Sequence, residues 1–232
     1  MRDINKFVRG FRRFQHHYLE GRPALFERLV EEGQRPRALV IACCDSRCDP
    51  ALLTDCDPGD MFVVRNVANL VPPYTQAMSF AATSSAMAFA VRNLEVEHVI
   101  VMGHARCGGI RTLMADYPPT CAEEALITQW LDIATEARLQ VLEELPDSPG
   151  DMQARACEQA SVLVSLGNMM SYPWIRRRVE EGSLALHGWY FDMESGELLQ
   201  YRAETDCFEV LVANDLETAR DGVTEQMIMP GI

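Results

Sequence analysis

The stretch "RALVIACCDSRCDP", residues 37–50, decides how the rest of the chain is read. Its first half is a continuous apolar run of strand length, the composition of a strand buried on both faces of a parallel sheet. Its second half places Cys43, Cys44 and Cys48 around Asp45 and Arg47. Side chains two apart on a strand point the same way, so Cys43 and Asp45 share a direction and Cys44 is turned from them, toward the opposite packing layer.

Two further runs have the same character: "DMFVVRNVA" from Asp60 and "EHVIVMGH" ending at His104. Between them "QAMSFAATSSAMAFAVRNLEVE" reads as a long helix of small residues, and "CGGIRTLMA" after the third run reads as a helix start. Helical stretches over about 122–144 and 152–181 flank the breaker "PDSPGD", and "LALHGWYFDMESGELLQYR" reads as strand, turn and strand. This alternation predicts a single α/β domain with a mainly parallel central sheet flanked by helices. Ahead of it, Ile4, Phe7, Val8, Phe11, Phe14 and Tyr18 recur at spacings of three and four, and a second helix runs from Pro23 to Gly33. Residues 1–33 are thus expected to be an N-terminal helical arm and 34–232 the α/β domain. The aromatic stripe exceeds what a terminal helix can bury on its own domain, which leaves packing within the chain or on a neighbouring subunit.

Composition narrows the partners. A net charge of −13 argues against a surface that tracks phosphates, so nucleic acid is excluded as a partner. No window approaches the roughly 20 apolar residues of a membrane span, and the N-terminus lacks the apolar core of a secretory signal. A cytoplasmic protein is expected, with its eight cysteines kept as thiols. Thiols at special spacings then mean metal or catalysis. In open α/β sheets ligands bind beyond the carboxyl ends of the strands, which here bear Cys43 and His104. His104 and Cys107 are three apart in "GHARCGG", close enough to share an ion with Cys43. Two thiolates and an imidazole, with a fourth position for water or a carboxylate, describe a catalytic zinc site.

"CCDSR", "RNVANLVPP", "GHARCGGI" and "HGWYFDMESGEL" together resemble the β-class carbonic anhydrases, over roughly residues 30–200. The resemblance implies one zinc ion per subunit on Cys43, His104 and Cys107, with Asp45 a further ligand only in a closed state. It implies that Arg47 holds Asp45 and that Asp45 orients a zinc-bound hydroxide for attack on CO2, giving bicarbonate and a proton, the reaction of a carbonate dehydratase, a zinc lyase. It implies Gln34 and the amide of Gly108 as donors to the substrate, and Phe62, Val67 and Phe89 as walls of its pocket, positions that simple core packing would also fill with apolar residues. The regulatory bicarbonate pocket of some relatives would fall on Val40, Arg65 and Phe191; only the arginine matches, so no such switch is expected. A homodimer or a multiple of dimers is implied. Two other readings keep the same residues: hydrolysis of carbonyl sulfide or carbon disulfide, or a non-catalytic zinc or thiol protein in which Cys44 or Cys48 closes the metal shell. His16, His17 and Tyr74 are candidate proton shuttles.

Overall fold

A computed structural model describes residues 4–214; the last 18 positions assigned above to the α/β domain lie outside them. Six strands form one sheet in the order β2-β1-β3-β4-β5-β6, with β1 Ala38–Cys43, β2 Met61–Asn66, β3 His98–His104, β4 Ala185–Asp192, β5 Glu197–Arg202 and β6 Cys207–Val212. The first four are parallel and the last two antiparallel. The mainly parallel α/β sheet is the one expected; β6 was not anticipated, because "CFEVLV" alternates weakly and most of it is exposed.

Leu39, Ile41, Val99 and Val101 point from β1 and β3 into a core closed by α4 (Ala81–Arg92), α8 (Gly150–Met170) and α9 (Pro173–Glu180). Gly103 lets α8 lie directly on β3: a Cβ there would stand 2.7 Å from Val162 Cγ2. The alternate residues Val40, Ala42, Ile100 and Met102 form a smaller cluster with Trp189 on the opposite face. This two-sided burial is why β1 and β3 read as unbroken apolar runs. The second run was expected to be equally buried; it is the sheet edge, with Val63 38% exposed.

Helix boundaries shift where local chemistry competes with the apolar pattern. The small-residue helix begins only at Ala81, after a 3-10 turn at Tyr74–Gln76. The 122–144 stretch divides into α6 (Ala122–Leu131) and α7 (Thr135–Glu144). The 152–181 stretch begins at Gly150 and breaks at Ser171–Tyr172, because Pro173 cannot continue a helix and restarts one as its first residue. In the N-terminal helical region, α1 (Asn5–Phe14) runs through a π-helical turn, Gln15–Glu20, toward α2 (Pro23–Glu32), and no residue of these three elements is buried.

Chain order makes β1 the switch point: the connection through α3 (Pro50–Thr54) leads to β2 on one side, and α4 then crosses to β3 on the other. The carboxyl ends of β1 and β3 therefore face a crevice in which a ligand can sit.

Candidate metal centre

Cys43 ends β1, His104 ends β3, and Cys107 precedes α5 (Gly108–Ala115). Their donor atoms all lie within 4.8 Å of one another and all three residues are buried. The left-handed backbone of Arg106, at φ 59°, turns the chain sharply enough to aim His104 and Cys107 at one point. Gly109 seats α5 against the loop after β2, since a Cβ would come within 2.8 Å of Val67 Cγ1.

The donor set fits zinc. His104 Nδ1 donates to the Ala105 carbonyl at 2.9 Å, which leaves Nε2 as a lone pair; that buried atom finds no hydrogen-bond partner among the described residues. Cys43 Sγ and Cys107 Sγ stand 3.9 Å apart, and two sulfurs at about 2.3 Å from a tetrahedral ion would stand about 3.8 Å apart. The neighbouring thiols of Cys107 and Cys48 lower the pKa of Cys43, while the nearness of Cys43, with burial, raises those of Cys107 and Cys48. Burial pulls His104 down, but the neighbouring Cys43 sulfur outweighs it and the net direction is up. Placing charge on both ligand sulfurs at once requires a cation between them.

Asp45 stays outside the trio. Arg47 grips it with three bonds, from Nε to Oδ1 at 2.9 Å, Nη2 to Oδ2 at 2.7 Å and the backbone N–H to Oδ1 at 3.0 Å. The guanidinium holds the carboxyl down to about 2. The same Nη2 donates to the Arg106 carbonyl at 3.1 Å, so one side chain ties the first motif to the second.

Two supports escaped the sequence reading. Arg65 had been considered only as a remnant of a bicarbonate pocket; it donates to the carbonyls of Cys43 and Asp45 and to Asp49, which caps α3. Glu158 on α8 is 5% exposed, accepts from the Cys107 amide at 2.9 Å and from the Tyr190 hydroxyl at 2.7 Å, and has its pKa raised by burial. A glutamate in a helix 51 positions from its partner carries no spacing signal.

The three sequence-adjacent cysteines separate completely. Cys44 does not enter the opposite packing layer: β1 has ended at Cys43, and Cys44 is exposed beside Val67, Phe80 and Trp130. Cys48 is buried but donates its S–H to the Asp45 carbonyl at 3.3 Å. Neither joins the metal-type trio.

Among the other expected residues, Val67 and Gly108 flank the cluster. Val67 follows Asn66, the register partner of Cys43, and a Cβ on Gly108 would meet nothing within 4 Å, so the space at that helix start is open. Gln34, Phe62 and Phe89 are elsewhere in the chain. Phe62 pairs with Leu39, four residues before Cys43, or about 13 Å along the strand, and its ring lies tilted against that of Phe89 with centroids 5.9 Å apart. Gln34 precedes β1 altogether and is exposed. A single chain therefore does not bring these three to the cluster. His16 bonds Glu20, His17 packs on Tyr18, and Tyr74 packs on Tyr172 and Trp174.

The family model for carbonic anhydrase matches residues 38–198, which contain the trio. The chain belongs to the β-carbonic anhydrase family. It is 36% identical over 196 residues to beta carbonic anhydrase 3 of Arabidopsis thaliana, covering 83% of this chain and 74% of that protein. It is 35% identical over 198 residues to a carbonic anhydrase of Synechocystis, covering 85% and 71%. Among solved structures, the β-carbonic anhydrase CcaA superposes with a TM-score of 0.82 at 32% identity, over 90% of this chain and 94% of that one. One of two tetrameric β-carbonic anhydrases of Sordaria macrospora superposes with a TM-score of 0.75 at 27% identity, over 88% and 98%. The β-carbonic anhydrases are zinc enzymes, and Cys43, His104 and Cys107 of this family member are suited to that ion. Among the described residues no helix is long and apolar enough to cross a membrane.

Proposed function

We propose that this enzyme catalyses the reversible hydration of CO2 to bicarbonate and a proton in the cytoplasm, with zinc held by Cys43, His104 and Cys107. The observation that carries the reading is the division of labour at the crevice: three soft or nitrogen donors converge, while the Asp45 carboxylate is held by Arg47. When bound, zinc supplies a Lewis acid that makes a coordinated water acidic near neutral pH.

The chain's own residues then orient the reactants. Asp45 accepts the hydrogen bond of the attacking oxygen's remaining hydrogen, so a lone pair faces the substrate carbon. Arg47 keeps Asp45 in that role and away from the fourth metal position. Val67 provides apolar wall for a linear, apolar substrate, and the Gly108 amide is placed to donate to one of its oxygens. Gln34, Phe62 and Phe89 act at the same centre only if a second copy delivers its amino edge to this carboxyl edge. The exposed stripe of α1, with Phe7 71% and Phe11 59% exposed, supports residues 1–33 as an arm laid over that copy, in a homodimer or a multiple of it.

Stopped-flow CO2 hydration with zinc-loaded and chelator-stripped protein tests the proposal, with carbonyl sulfide as the second substrate. Hydration that depends on zinc is the expected result. Zinc-loaded protein that is inert toward CO2 but hydrolyses carbonyl sulfide would reassign the substrate; inertness toward both would leave a zinc-binding protein without this catalysis.

A further inference from the structure

Behind the metal loop lies a second cavity, of about 400 Å³, that the hydration chemistry does not use. Its lining includes Ala105 and Arg106, the two residues between His104 and Cys107, and the buried Glu158 that bonds the Cys107 amide. Three guanidinium groups meet there, Arg106 from the loop, Arg111 from α5 and Arg155 from α8, in a chain whose net charge is −13.

The acids in the lining are largely committed. Glu158 is occupied by Tyr190 and Cys107. Asp151 lies in the first turn of α8, where it offsets the helix dipole. Glu194, in the β4–β5 turn and 49% exposed, has Oε1 bonded by Arg106 Nε at 2.8 Å and Nη2 at 2.6 Å, and Oε2 3.9 Å from Arg155. Both Arg106 donors fall on the single oxygen Oε1, and Glu194 occupies the place beside this guanidinium that an external oxyanion would take. Arg155 is itself pinned by Asp192 at 2.6 Å and lies over the Tyr190 ring, so it is preorganised.

We infer that this cavity is a binding site for a small organic phosphate, which displaces the exposed Glu194 carboxylate and takes Arg106, Arg111 and Arg155 as its partners. A phosphate ester exceeds a carboxylate in charge and in acceptor oxygens, so it can engage three guanidiniums where Glu194 engages one closely. The volume admits a short carbon chain in addition to the phosphate.

Glycerol 3-phosphate titrated calorimetrically into the zinc-loaded enzyme tests this, with glycerol and inorganic phosphate as controls. The expected result is saturable binding of one molecule per chain, tighter than for either control. Arg111→Ala should weaken it by about tenfold or more, as loss of a charged hydrogen-bond partner does. Glu194→Gln should strengthen it by about threefold, because an exposed competing ion pair is removed. The absence of saturable binding overturns the proposal. So does binding that is indifferent to Arg111→Ala yet vanishes in zinc-free Cys43→Ser, since the anion then sits on the metal. Circular dichroism checks that each variant is folded; if Arg111→Ala is not, Glu194→Gln decides alone, and failure to tighten overturns the proposal.

Discussion

At the carboxyl edge of the sheet Cys43, His104 and Cys107 are buried within 4.8 Å of one another, and every flanking backbone turn is tied by Arg47, Arg65 or Glu158. At the amino edge Gln34 and Phe89 are exposed, and Phe62 is only half-buried. Both groups were read from the sequence as parts of one centre, yet the strand length stands between them. The contrast separates residues that a chain assembles alone from residues that would join the centre only through the second copy proposed above.

The strongest way to break the comparison is at the buried edge. Cys43→Ser should leave zinc content near zero by atomic absorption and abolish hydration, whereas Cys44→Ser should keep one zinc per chain; the opposite pattern would overturn the ligand assignment. Arg47→Ala should retain zinc while lowering kcat/KM by about 10- to 100-fold, the usual cost of losing a residue that orients a metal's immediate partners. Activity in the native enzyme should rise toward alkaline pH, because two thiolates offset the charge that acidifies a bound water; a flat profile from about pH 6 to 9 would contradict this.

The same edge makes a prediction about Asp45 itself. Arg47 holds its pKa at about 2, below the ordinary aspartate value. The pair therefore contributes stability that is present above that ordinary value and lost as pH falls through about 2. Carboxyl-carbon NMR should find Asp45 ionised down to about pH 3, and Arg47→Ala should return its titration toward the ordinary value of about 3.9.

Smaller effects sharpen the contrast. Gln34→Ala should cost about 3- to 10-fold in kcat/KM, the weight of one hydrogen bond, with zinc content unchanged. Mixing Gln34→Ala with Cys43→Ser protein should restore part of the lost activity if each centre draws on two copies, and no recovery would count against a shared site. Glu158→Gln keeps the shape but replaces one of two accepting oxygens, each already met by a donor, with an amide NH2; it should lower unfolding free energy by about 1–3 kcal/mol in thermal or urea melts.

How far the centre was legible depends on sequence distance. "CCDSR" and "GHARCGG" pack ligand, aspartate and arginine within a few residues, where strand alternation and a single turn set geometry. Arg65 and Glu158 were not legible as supports, since each meets its partners across 16 or more positions and neither belongs to a pattern with a period. Cys44 was misplaced because alternation applies only while the strand continues, and β1 stops one residue earlier. β2 was misjudged because apolar composition does not distinguish a central strand from an edge.

By itself, then, the sequence determined the alternation of strands and helices and the convergence of Cys43 with His104 and Cys107 beyond the strand ends. These follow from short-range periodicity and from the rule that parallel strands end on one edge. The tertiary structure alone decided which strand lies at the edge, which buried acid steadies Cys107, where Cys44 and Cys48 point, and that Gln34, Phe62 and Phe89 stand a strand length away from the metal centre. Those outcomes depend on contacts between distant segments, whose packing no local spacing encodes.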